Sequence, residues 1–78
     1  MAKTNNYHDC KNAREAADIG DFQDAVEWLQ EAMYGLEFDD EHNAYRSAFS
    51  YVQRKANEQG LVVKEVGPRG IPKIVEND

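Results

Sequence analysis

Apolar residues recur at helical spacing three times along this chain, and after Gly60 the period changes. That switch predicts a mainly α fold with a minor β element. Tyr7, Cys10, Ala13 and Ala17 mark a first helix over 6–19, with Asn6 and Asp9 at the spacing of a capping-box variant and Gly20 at its end. Its inward side is mostly alanine, which lets a neighbouring helix come close. Gly20 suits the left-handed position after a helix and Asp21 suits an N-cap, so a second helix over 21–37 follows at once. Phe22, Ala25, Val26, Leu29, Met33 and Leu36 form its apolar stripe. Phe38, Asp39 and Asp40 make a short break whose acids favour the start of a third helix, over 40–59, with Tyr45, Phe49, Val52 and Ala56 inward.

Beyond Gly60, Leu61, Val62, Val63 and Val66 form a β-prone run, Gly67-Pro68-Arg69-Gly70 reads as a turn, and Ile71 to Val75 as a second strand. A β-hairpin over 61–75 results. Pro72 lacks an N–H, which confines its strand to an edge or demotes it to an extended tail. Residues 1–5 are expected to be a flexible start and 76–78 a tail. The predicted architecture is one three-helix domain over 1–78, with helices 1 and 2 as an antiparallel hairpin and a small C-terminal β-hairpin.

At 78 residues there is room for one domain with a small core. The hydrophobic content of 41% is too high for a disordered chain despite 31% charge, which points to a folded domain of limited stability that a partner or a second copy would support. Cys10 is the single cysteine, so no internal disulfide forms and a reducing, cytoplasmic setting is expected. Met1 to Asn6 lack the apolar region of a signal peptide, and no run approaches the ~18 apolar residues of a membrane span.

Within Ala13 to Ala32, the run Gly20-Asp21-Phe22-x-x-Ala25-Val26-Glu27 followed by Ala32 resembles the middle of a tetratricopeptide repeat. In that family helix A ends at a glycine and helix B presents small residues to it. The resemblance covers about a quarter of the chain and implies a helical hairpin; as a function it implies an adaptor that receives a peptide. The chain departs from the family elsewhere. The large helix A positions fall on Asp9, Asn12 and Ala16, and nothing after Asp40 repeats the pattern.

Catalytic constellations are thin. His8 and Cys10 are two residues apart, about 200° around a helix, so they cannot converge on one metal without a third element. Cys10 lies on the apolar stripe and reads as a small buried hydrophobe, with His8 in solvent. A cysteine and histidine nucleophile pair through His42 would need the loop to fold back on helix one. Asp39, Asp40, Glu41 and His42 resemble a hard-cation cluster but lack calcium-loop spacing, and the helix dipole accounts for acids there. No phosphate-cradling glycine loop is present. Neither enzymatic activity nor a cofactor or metal is expected.

Charge is the informative property. From Glu15 to Tyr45 there are ten Asp or Glu side chains and no Lys or Arg, whereas the remaining residues carry nine bases against five acids. The net charge of −6 therefore conceals an electrically two-sided molecule. Asp24, Glu27 and Glu31, three and four residues apart, stand in a row on the outer side of helix two, with Asp21 upstream. Glu27 and Glu31 repel at i, i+4, a cost of about 0.2–0.5 kcal/mol. Such a row is either a solvated face or a docking surface for a cationic partner. Trp28 beside it either closes the edge of the core or anchors an interface. Arg54, Lys55, Lys64, Arg69 and Lys73 could form a sparse basic patch, yet the central acidity opposes direct binding of nucleic acid.

The expected function is that of a non-enzymatic interaction protein that docks on a basic protein surface, as an inhibitor or decoy for a nucleic-acid-handling partner. Asp21, Asp24, Glu27, Glu31, Asp39, Asp40 and Glu41 would supply the electrostatic contribution, and Trp28 or Tyr34 the apolar one. Small acidic chains of this kind are similar in general character to phage and mobile-element proteins that disable host nucleases or transcription machinery. The alternatives are a tetratricopeptide-like adaptor and a self-assembling structural protein, including a homodimer. No membrane partner is expected.

Overall fold

The computed structural model describes residues 6–76, in the order α1 (Asn6–Asp18), α2 (Phe22–Met33), α3 (Asp39–Glu58), β1 (Leu61–Val66) and β2 (Ile71–Glu76). The capping side chain expected at Asn6, the start over 1–5 and the tail at 77–78 lie outside the described residues. Glu76 itself closes β2.

The first two helices join through hydrogen bonds that their sequence predicts. Gly20, with φ of 83°, donates its N–H to Ala17, and the Asp21 N–H reaches back to Ala16 at 2.9 Å. Together these two bonds terminate α1 in a Schellman motif, whose left-handed residue a side chain would strain. Asp21 then caps α2, its Oδ1 accepting from the Asp24 N–H at 3.2 Å. One residue ends one helix and the next begins another, so α1 and α2 fold back as an antiparallel hairpin.

α2 is shorter than its periodicity predicts. It ends at Met33, and the Tyr34 and Gly35 amides turn back on Glu31 and Ala32. Gly35 is a poor helix former, and ending here lets the chain reverse into α3. Leu36 leaves the helix yet still packs against the core. Tyr7 also departs from its expected stripe, being half exposed.

α2 and α3 form a middle layer, with α1 packed on one side and the β-hairpin on the other, β1 against α3 and β2 against α2. Ala13, Ala17, Ala25 and Ala32 are buried, the small side chains that permit close helix approach. Leu29, Val52 and Val63 supply the largest wholly buried side chains together with Pro72 and Cys10. The strands are antiparallel, with Val63 opposite Ile74 and Glu65 opposite Pro72. In a two-stranded sheet every strand is an edge, which accommodates Pro72 with its missing N–H turned away from β1. Its carbonyl, on that same outer side, accepts from the Gln30 Nε2 of α2 at 2.8 Å, and the Val63 carbonyl accepts from the Gln53 Nε2 of α3 at 3.0 Å. A glutamine from each middle-layer helix thus holds one rim of the hairpin.

Candidate functional site: an acidic face around Trp28

The inward positions of α2 are Phe22, Ala25, Val26, Leu29 and Ala32. Helical geometry then turns Asp24, Glu27 and Glu31 to solvent, and all three are exposed. From Asp21 to Glu31 the row runs about 15 Å along the axis. Asp21 is exposed, but one of its oxygens is engaged in the cap, and Glu27 accepts a hydrogen bond from Gln23 at 3.3 Å. Among the described residues, none of Asp21, Asp24, Glu27, Glu31, Asp39 and Asp40 has a Lys or Arg within ion-pair distance.

Two acids of the same stretch are compensated. Asp18 meets Lys55 at 3.8 Å and accepts a hydrogen bond from the Tyr51 hydroxyl, tying α1 to α3. That bond to Asp18 raises the Tyr51 pKa and keeps the phenol protonated. Glu15 lies 4.0 Å from Lys11 in an exposed pair of little energetic weight.

Trp28 is half-buried and packs against the core while lining two shallow depressions. One, of about 420 Å³, is walled by Asp24, Glu27, Gln30 and Glu31. The other, of about 390 Å³, lies over the α1–α2 seam among Asn12, Glu15, Ala16, Ile19 and Asp24. The indole therefore both closes the core edge and offers apolar surface. Ile19, 81% exposed beside the same seam, adds to it. Sequence reading missed Ile19 because it sits off the stripe, next to the glycine that ends α1.

Behind the row lies a second unexpected residue, Asp9 of α1, which is only 8% exposed. Burial raises its carboxyl pKa, the Glu31 carboxylate raises it further, and His8 opposes the shift. Negative charge is thus concentrated across the α1–α2 seam.

Glu41 does not belong to this surface. It is 6% exposed, and its Oε1 accepts from the Glu37 N–H at 2.9 Å and the Phe38 N–H at 3.1 Å. This is the glutamate half of a capping box, and it orders the entry to α3. Its expected role in partner contact is corrected to a structural one. Asp39 and Asp40 remain exposed in the first turn of α3, and Tyr34 is 71% exposed at the end of α2. They lie at and beyond the C-terminal end of α2, where Phe38, 64% exposed, adds a ring that sequence reading treated only as part of a break. The site residues thus run from the Trp28 row past the end of α2 to the start of α3.

The bases lie elsewhere. Arg54 and Lys55 lie 5.7 and 5.6 Å from the Tyr51 ring centroid, and Lys64, Arg69 and Lys73 are exposed on the hairpin. Arg46 and His42 border a cavity of about 480 Å³ between α3, Leu36 and Glu65 of β1. Tyr45 and Phe49 form its ring pair at 6.2 Å, and the Tyr45 hydroxyl is buried without a partner among the described residues. Burial raises the pKa of that phenol strongly. Cys10 is buried, and burial raises its thiol pKa as well, so it behaves as a core side chain. Among the described residues no group of three or more His, Cys, Asp or Glu side chains could hold a metal ion, and no helix is long and apolar enough to cross a membrane.

No family model matches the chain, and no significant match is found among curated proteins or solved structures. α1 and α2 pack together as a helical hairpin.

Proposed function

We propose that this protein is a non-enzymatic interaction protein, acting in the cytoplasm, whose acidic α2 face docks on a basic surface of a nucleic-acid-handling protein as an inhibitor or decoy. The observation that carries the reading is the row Asp24, Glu27 and Glu31, exposed and without counter-charge among the described residues, beside the half-buried Trp28. Carboxylates attract the cationic surface and speed encounter, while a desolvated indole supplies the affinity that screened charge alone does not. The activity is of the kind by which phage and mobile elements disarm host nucleases or transcription machinery.

Displacement of a fluorescent DNA duplex from a panel of purified nucleases and transcription regulators tests it. At least one member should release DNA, with inhibition weakening steeply as ionic strength rises. Reversal of the row in Glu27→Lys/Glu31→Lys should slow association by roughly tenfold or more, and Trp28→Ala should speed dissociation. Inhibition indifferent to salt and to the reversal would overturn the reading and favour a peptide-binding groove.

A further inference from the structure

The β-hairpin has a face that the helices leave uncovered. Its register sets Val62 opposite Val75, Lys64 opposite Lys73 and Val66 opposite Ile71. Side chains alternate across a strand, so these six project away from Val63 and Pro72, which are buried against the helices. Four β-branched aliphatic side chains, only partly covered, frame two exposed lysines. Like charges directly opposed across strands are unfavourable, and among the described residues no carboxylate lies within ion-pair distance of Lys64 or Lys73.

The acidic row lies next to this face. Gln23, Val26 and Gln30 of α2 and Lys73 and Ile74 of β2 line one shallow depression. Moving across the surface from α1, one meets Trp28, then the carboxylates of α2, then Gln23 and Gln30, and then the hairpin lysines. Acidic and basic strips are thus neighbours, with glutamines between them. We propose that these strips form the interface of a homodimer. A two-fold axis near Gln23 and Gln30 would lay Asp24, Glu27 and Glu31 of one copy over Lys64 and Lys73 of the other, and the reverse. Two-fold symmetry makes any such contact occur twice, which closes the assembly at two copies. Stacking hairpin on hairpin would instead gather four lysines and is disfavoured. The dimer covers the acidic face in the free protein, so a cationic partner must compete with the second copy. It rests on the same carboxylates as the proposed function but needs no partner to be measured.

Sedimentation velocity of the full chain at about 0.01 M and 1 M salt, where the screening length falls from roughly 30 to 3 Å, is the first measurement. Dimer at low salt and monomer at high salt are expected. Lys64→Glu/Lys73→Glu and Glu27→Lys/Glu31→Lys should each be monomeric at both, with helical circular dichroism unchanged because all four side chains are exposed. An equimolar mixture of the two variants should restore a dimer. A wild-type chain that stays monomeric at low salt overturns the proposal, as does a mixture of folded variants that fails to associate. So does a wild-type monomer that shifts a DNA duplex through Lys64 and Lys73, which would make the hairpin a nucleic-acid contact. The Lys64→Glu/Lys73→Glu variant keeps the acidic row, so its behaviour in the DNA-displacement assay tests the docking reading whether or not the dimer exists.

Discussion

Asp9 and Glu41 are both acids that the fold buries, and they act in opposite directions. Glu41 holds two backbone amides at the start of α3. The pKa of Asp9 lies above its ordinary 3.8, through burial first and Glu31 second. The folded chain therefore keeps the Asp9 proton to a higher pH than the unfolded chain does. That contribution to stability is complete below about pH 4 and is lost as pH rises through the raised value. Asp9→Asn should accordingly raise the melting temperature at pH 7, and the advantage over wild type should vanish near pH 3; thermal scans across pH check both ends. Residue type alone does not separate the two; their positions on their helices do. Glu41 follows Asp39 and Asp40 in a run of three acids, and only its side-chain length, reaching back from the third helical position, separates it from them. Asp9 lies four, seven and eight residues before the buried Ala13, Ala16 and Ala17, so an acid stands where the helical period of α1 turns inward.

α1, α3 and both strands were legible because each begins or ends at residues with a definite backbone demand, Gly20, Asp21, Gly60 and the Gly67 to Gly70 turn. α2 runs short because its apolar spacing continues through Leu36, and no local signal outweighs that continuity except Gly35. The glutamines were silent. Gln30 and Gln53 lie on the flanks of their stripes, and their value appears only when the hairpin returns to sit between them. Each engages a strand carbonyl across more distant sequence, so Gln30→Ala or Gln53→Ala should cost about 1 kcal/mol. Hydrogen exchange should locate the loss. Amides of β1 and β2 should lose protection by about fivefold while those of α1 remain as they were, and equal loosening of all three layers would contradict this assignment.

Half of the core side chains are alanines, so three layers depend on a few larger residues in the middle. Leu29 is fully buried on α2, the helix that touches α1, α3 and β2. Leu29→Ala should cost about 2–5 kcal/mol, comparable with the entire stability of a domain this small, and circular dichroism should report cooperative loss of helix near room temperature. Loss confined to one layer would show that the layers are independent. A lone pair of strands ordinarily offers open backbone to any extended chain that arrives, the first step toward fibrils. On this molecule Pro72 presents no amide to such a strand, and the carbonyls of Pro72 and Val63 are already engaged by Gln30 and Gln53. An invading strand finds fewer groups to zip against. Contact with other molecules is thereby left to side chains, which discriminate between partners, and withheld from the main chain, which does not.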